Sequence, residues 1–337
     1  VVRIWRTTGS HFKSFSKENQ LKRYFKYGVW TAGLWLFSAF LLVACGDNSA
    51  APTNAGITTA SQSKLKVVAT TTQIGDFVKN VGGNRVDLTT ILKPNSDPHE
   101  YEPTADDSKA LANAQLVFTN GLGLDDWLDK LIKNSGTKAK TVVTSDGIKP
   151  HAAKDASEKE GDPHIWFDID NVKKMVDNIA QGLSELDAAG ASAYQGNARN
   201  YKEQLDKLDA DIKAQIATIP EADRKMVTNH DAFSYYLDRY GIKFVGSVIP
   251  SFDTAAEPSA KDLAELVAKI KAEKVKAIFT ESSLNPKLEQ QIAAQAGVKI
   301  YSNLYGDTLG EAGSDGDTYI KMMQSNTKNI VAGLTGK

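Results

Sequence analysis

Four histidines lie beyond residue 45, and three of them stand where a ligand is useful. His99 sits in Asp97-Pro98-His99-Glu100-Tyr101-Glu102-Pro103, His164 in Asp162-Pro163-His164-Ile165-Trp166, and His230 in Thr228-Asn229-His230-Asp231-Ala232-Phe233. A carboxylate to join them is offered twice, by Asp307 in Tyr305-Gly306-Asp307-Thr308 and by Glu281 in Thr280-Glu281-Ser282-Ser283. Three imidazoles and one carboxylate make a four-coordinate nitrogen and oxygen site of the kind zinc accepts. Manganese favours more oxygen. Each residue also has a plainer use. Asp-Pro-His is a proline-assisted turn, Asp307 suits a helix N-cap, and a histidine near a strand end is often only hydrogen-bonded. Spacing alone does not choose between Asp307 and Glu281. The fourth histidine, His151, lies in the charged, aperiodic segment 149–162 and is expected in solvent, with an auxiliary metal-collecting role as its alternative.

The elements that must position these residues read as strands alternating with helices. Apolar runs occur at 65–70, 86–92, 115–119 and 141–144, and again at 225–228, 243–248, 275–280 and 298–304. Helical spacing fills 108–114 and 124–133 in the first half, and 232–240, 259–273 and 286–296 in the second. That alternation predicts an α/β fold with mainly parallel four-stranded sheets in two similar lobes. His99 and His230 then follow strands, as does Asp307, and the carboxyl edge of such sheets is where ligands bind. The middle carries no strand. Residues 172–186 read as helix, and 191–219 keep Tyr201, Leu205, Leu208, Ile212 and Ile216 on one face before Pro220. This long helix is expected to join the lobes.

With 40 basic and 41 acidic residues among 337, the chain lacks the basic excess of a nucleic-acid binder, so no nucleic-acid partner is expected. Its one cysteine, Cys45, excludes a disulfide framework and a cysteine-rich zinc finger. Basic residues from Arg3 to Lys26 precede an uncharged apolar run at 28–44. Leu42-Val43-Ala44-Cys45-Gly46 resembles the lipobox of bacterial lipoproteins, in which the signal is cut before the cysteine and the cysteine is lipidated. A retained transmembrane helix is the alternative, and the run is at the short limit for one. The polar stretch after it suits a tether. The expected division is 1–45 extension and signal, 46–64 tether, 65–188 first lobe, 189–219 linking helix and 220–337 second lobe.

Seven segments, DPHEYEP, GLGLDDWLDKL, DPHIWFD, HDAFSYY, AEPSAKDL, FTESS and GDTLGEAG, together resemble the zinc and manganese substrate-binding lipoproteins of bacterial ABC transporters, in the family's order. The resemblance implies two (β/α)-type lobes bridged by a backbone helix, with one metal ion in the cleft between them. It implies His99, His164, His230 and Asp307 as ligands, which moves Glu281 to a supporting role. Histidine at the third position goes with zinc, and glutamate with manganese. The long His-rich loop of zinc-specialised members is short here and holds only His151. The implied protein is no enzyme. It is a monomer, lipid-anchored on the outer face of the membrane or periplasmic, and its partner is an ABC permease with its ATPase.

Two other classes compete with metal delivery. A secreted zinc hydrolase needs an open coordination position and a general base, for which Glu281 or Glu100 is available, but the chain has no His-Glu-x-x-His helix. A surface adhesin is the other, and no repeat array supports it.

Overall fold

The computed structural model describes residues 63–152 and 160–336. The leader, Cys45 and the tether up to residue 62 lie outside the described residues, as do 153–159 of the charged segment.

The first half runs β1 (Leu65–Ala69), α1 (Thr72–Gly82), β2 (Val86–Thr90), α2 (Ala105–Asn113), β3 (Leu116–Thr119), α3 (Trp127–Ser135) and β4 (Lys140–Val143). Two helices follow without a strand, α4 (Ile169–Leu186) and α5 (Ala191–Ala217). The second half resumes with β5 (Lys225–Thr228), α6 (Ser234–Tyr240), β6 (Lys243–Ser247), α7 (Ala260–Glu273), β7 (Ala277–Glu281), α8 (Lys287–Ala296), β8 (Lys299–Leu304) and α9 (Tyr319–Thr335). All strand pairs are parallel, in the orders β2-β1-β3-β4 and β6-β5-β7-β8. Both sheets therefore reverse direction beside their first strand, the place where α/β sheets open a crevice at their carboxyl edge.

Strand alternation distributes the core. Leu65, Val67 and Ala69 of β1 and Leu116 and Phe118 of β3 enter the same apolar cluster as Met226 of β5 and Ala277 and Phe279 of β7. The residues between them face the other way. Val68 and Val117 pack with Leu111, Leu128 and Leu131 of α2 and α3. Val227 and Ile278 pack with Leu266, Ile270 and Ile292 of α7 and α8. Each sheet is thus covered on both faces, as parallel sheets require, and the inner faces share one core with α1, α4, α5, α6 and α9. The stripe Tyr201, Leu205, Leu208, Ile212 and Ile216 of α5 is buried in that core.

The elements depart from the sequence reading in a few places. α2 begins at Ala105 and not at 108, because Thr104 and Asp107 form a capping box. α6 starts at Ser234, two residues late, which leaves His230, Asp231 and Ala232 in the turn that follows β5. The helices α1 and α9 had no counterpart in the sequence reading.

Candidate metal centre

All four residues of interest lie in connections that leave the carboxyl end of a strand. His99 is between β2 and α2, His164 between β4 and α4, His230 between β5 and α6, and Asp307 between β8 and α9. Each is held by local chemistry. Asp97 accepts the backbone N–H of His99 at 2.9 Å, and Asp162 does the same for His164 at 3.0 Å. The two Asp-Pro-His segments are therefore the same turn, closed by an aspartate oxygen. His230 has its carbonyl tied to the Thr228 hydroxyl at 2.6 Å. Asp307 follows an irregular register between β7 and β8, where Phe279 pairs with Tyr301 and Glu281 with Leu304. Asn303, with φ of 75°, takes up the extra residue of this bulge. The Gly306 carbonyl then receives Trp166 Nε1 at 3.2 Å and Gln73 Nε2 at 3.3 Å.

These turns bring the four side chains together. Their ligating atoms all lie within 4.8 Å of one another. Asp307 Oδ1 is 3.3 Å from His164 Nε2, and Asp307 Oδ2 is 3.5 Å from His230 Nε2 and 3.6 Å from His99 Nε2. The Nε2 atoms of His164 and His230 are 3.4 Å apart. Four ligands around zinc at about 2.0–2.1 Å would be about 3.3 Å from each other, and these four distances of 3.3–3.6 Å are close to that edge. The side chains of His164 and His230 are fully buried, and those of Asp307 and His99 are 4% and 8% exposed. His99 Nε2 is buried without a hydrogen-bond partner among the described residues. A buried imidazole nitrogen in that condition is costly unless it has a ligand to meet.

The far nitrogens are held as well. His164 Nδ1 is 2.7 Å from Asp162 Oδ1, and His230 Nδ1 is 2.7 Å from Glu281 Oε1. The hydrogen bond to Asp162 fixes the His164 tautomer and aims its Nε2 inward, while Glu281 sits against His230 as a close ion-pair contact. Glu281 therefore backs His230, while Asp307 meets the three Nε2 atoms. A Cβ on Gly306 would fall 1.6 Å from Glu281 Oε2, so the carboxyl group occupies space that only glycine leaves open.

The electrostatics follow from burial against pairing. Burial lowers the His99 pKa, and the nearby Asp307 only partly opposes it. Burial also works against the charged form of His164, but Asp162 and Asp307 outweigh it and hold its pKa up to about 10. His230 moves up too, as Glu281 and Asp307 overcome its desolvation. For Asp307, burial is overcome by the three imidazoles, which pull its pKa well below the usual carboxylate range. Burial raises that of Glu281.

His151 is not in the group. Its side chain is 37% exposed, with the ring stacked on Tyr235 at 3.9 Å and Nδ1 2.9 Å from Ser234 Oγ. Glu100 is exposed. Asp162 escaped the sequence reading, although the doubled Asp-Pro-His offered the signal.

With this geometry in hand, a family profile described as zinc-uptake complex component A, periplasmic, matches residues 67–333. The chain belongs to this family. Within reach of the zinc-uptake component A family, it is 36% identical over 304 residues to the iron ABC transporter substrate-binding lipoprotein MtsA of Streptococcus pyogenes serotype M1, covering 88% of this chain and 95% of that protein. It is 34% identical over 304 residues to the manganese ABC transporter substrate-binding lipoprotein PsaA of Streptococcus pneumoniae serotype 4, covering 88% and 96%. The solved structure of the periplasmic zinc binding protein TroA from Treponema pallidum matches with a TM-score of 0.75 and 34% identity, over 80% of this chain and 99% of TroA. Three relatives thus carry three metals in their names.

Proposed function

We propose that this chain captures a divalent transition metal outside the cytoplasm, zinc first, and delivers it to an ABC import permease and its ATPase. His99, His164, His230 and Asp307 are the ligands in this reading, with Glu281 supporting His230. The observation that carries it is a buried carboxylate whose oxygens lie 3.3–3.6 Å from three imidazole Nε2 atoms. Family membership adds the transport context. Four protein ligands leave no open position for the water that a catalytic zinc site activates, and Glu281 is engaged with His230 while Glu100 points to solvent. Capture therefore fits the chemistry better than hydrolysis.

The first-half ligands are His99 and His164, and the second-half ligands are His230 and Asp307. The ion then bridges the two halves, and release follows when the permease disturbs one against the other. The proposed division remains 65–188, 189–219 and 220–337, preceded by a signal ending before Cys45, a lipid anchor on Cys45 and the tether 46–64. The working unit is a monomer held at the outer face of the membrane.

Manganese is the second reading, and one feature favours it. Both oxygens of Asp307 face the imidazoles, so a bidentate carboxylate would give a fifth donor. Elemental analysis of the protein purified from its native host under metal-limited growth tests the choice. Stoichiometric zinc is expected. Dominant manganese would replace the metal and keep the transport role, and a metal-free protein that fails to take up either ion would remove both.

A further inference from the structure

The two Asp-Pro-His turns share more than their fold. In each, one aspartate oxygen holds the histidine, and the other reaches across to a hydroxyl of the second half. Asp97 Oδ1 accepts the His99 N–H, while Asp97 Oδ2 accepts Thr254 Oγ1 at 2.6 Å. Asp162 Oδ1 accepts the N–H of His164 and faces its Nδ1, while Asp162 Oδ2 accepts Ser234 Oγ. Thr254 belongs to the connection between β6 and α7, and Ser234 is the first residue of α6. Tyr235 adds a bond from its hydroxyl to the Asp162 carbonyl at 2.7 Å.

We infer that Ser234 and Thr254 are positioning residues that couple closure of the two halves to the aim of the two first-half ligands. The inference rests on the metal-capture reading. With the halves together, each hydroxyl occupies one aspartate oxygen and leaves the other committed to its histidine. When the halves part, the hydroxyl is withdrawn and the carboxylate is free to turn. The support behind His99 and His164 then loosens at the moment the second-half ligands move away. The turns and hydroxyls thereby convert a movement of whole elements into a change at the ligands themselves. Charge-assisted hydrogen bonds of this kind are among the stronger ones. Asp162 stands behind the His164 ring, where a carboxylate tunes metal affinity, and Asp97 acts on His99 through the backbone N–H that fixes its turn.

The test is the rate of Co2+ dissociation from the full chain into excess chelator, with the ligand-field spectrum of the bound ion recorded in parallel. Ser234→Ala and Thr254→Ala should each speed dissociation by about tenfold, change association by less than about threefold, and keep a one-to-one stoichiometry. Ser234→Thr and Thr254→Ser, which retain the hydroxyl, should stay close to the unaltered protein. Dissociation within about twofold of the parent in both alanine variants would overturn the inference and leave the capture reading standing. Equal acceleration in the hydroxyl-retaining variants would overturn it too, since packing would then be the cause. If the parent chain binds no Co2+, the capture reading and this inference fall together.

Discussion

At the residue scale, the proposed centre has two of its three imidazoles held from behind by a carboxylate. His164 and His230 each have one nitrogen against a carboxylate, 2.7 Å away in both cases, so the other nitrogen has no choice but to face Asp307. Removing such a backing carboxylate typically weakens metal affinity by about 10–100-fold. Glu281→Ala should therefore lose zinc affinity by that factor in calorimetric titration, and His99→Ala should lose more, since it deletes a donor. An unchanged affinity in Glu281→Ala would mean that His230 is aimed by something else. Proton competition belongs to the same scale. His164, held up to about 10, carries a proton at neutral pH until an ion displaces it, and His230 is shifted the same way. Metal binding at pH 7 should release at least one proton, and affinity should climb as pH rises towards about 10. The linkage has a definite sign in the metal-free fold. A raised histidine pKa stabilises it fully below about pH 6.5 and ceases to as pH rises through the folded value. The gap in melting temperature between metal-loaded and metal-free protein should consequently widen from about pH 6.5 upward. A gap that narrows over this window would contradict the assignment.

At the scale of elements, the connections carry the site and the strands supply their starting points. The bulge between β7 and β8 and the glycine after it let Asp307 approach while Glu281 fills the space beside Gly306. Gly306→Ala puts a methyl group into the Glu281 carboxyl. Overpacking of this kind costs about 1–3 kcal/mol, which lowers the melting temperature by about 2–10 °C in a domain of this size. Metal affinity should fall with it, because Glu281 can only move away from His230. A variant that melts and binds like the parent would show that the glycine is incidental. Much at this scale was legible beforehand. The central strands β1, β3, β5 and β7 are short, mostly buried runs, the flanking strands are partly exposed, and α5 shows an apolar stripe that survives into the structure. The helices α1 and α9 differ in how legible they were. In α1, polar Gln73 and Asp76 are buried beside Ile74 and Phe77, and in α9 Ser325, Asn326 and Thr327 are buried beside Met322 and Ile330. In α9 these buried polar residues blur the contrast between faces that marks a surface helix, whereas α1 keeps an apolar stripe of Ile74, Phe77, Val78 and Val81 that helical spacing does offer. The places of His99 and His230 after strands were legible, and His164 stood out only through its repeated Asp-Pro-His segment. Spacing did not choose Asp307 over Glu281, because Glu281 ends β7 and Asp307 comes shortly after β8. The family resemblance pointed to Asp307, and the folded distances place it nearer the imidazole Nε2 atoms.

At the scale of the molecule, the two halves meet through polar ties as well as the shared core. Arg239 of α6 binds Asp209 of α5 at 2.7 Å, and Asp168, the N-cap of α4, at 2.8 Å. Its side chain is mostly buried, and so is that of Asp209. Arg239→Ala would remove the cation that Asp209 and Asp168 share, while Asp209 keeps Lys213 at 2.6 Å and the Tyr240 hydroxyl at 3.1 Å, so the cost is about 2 kcal/mol for the lost charged hydrogen bonds. The expected outcome is a clear drop in denaturation midpoint in both metal-loaded and metal-free protein, with metal stoichiometry unchanged. A variant whose midpoint does not move would show that these ions are solvated in practice. Ser234, in the same helix as Arg239, contacts Asp162. The link from this helix to the ligands was invisible in sequence, since it joins residues 72 positions apart.

The central claim is that donors scattered from residue 99 to residue 307 meet on one ion. X-ray absorption at the zinc edge of the loaded full-length protein tests it most directly. Three imidazole nitrogens and carboxylate oxygen at about 2.0–2.1 Å are expected, with one imidazole lost in each of His99→Ala, His164→Ala and His230→Ala. A shell dominated by water oxygens, or one that these three variants leave intact, would contradict it.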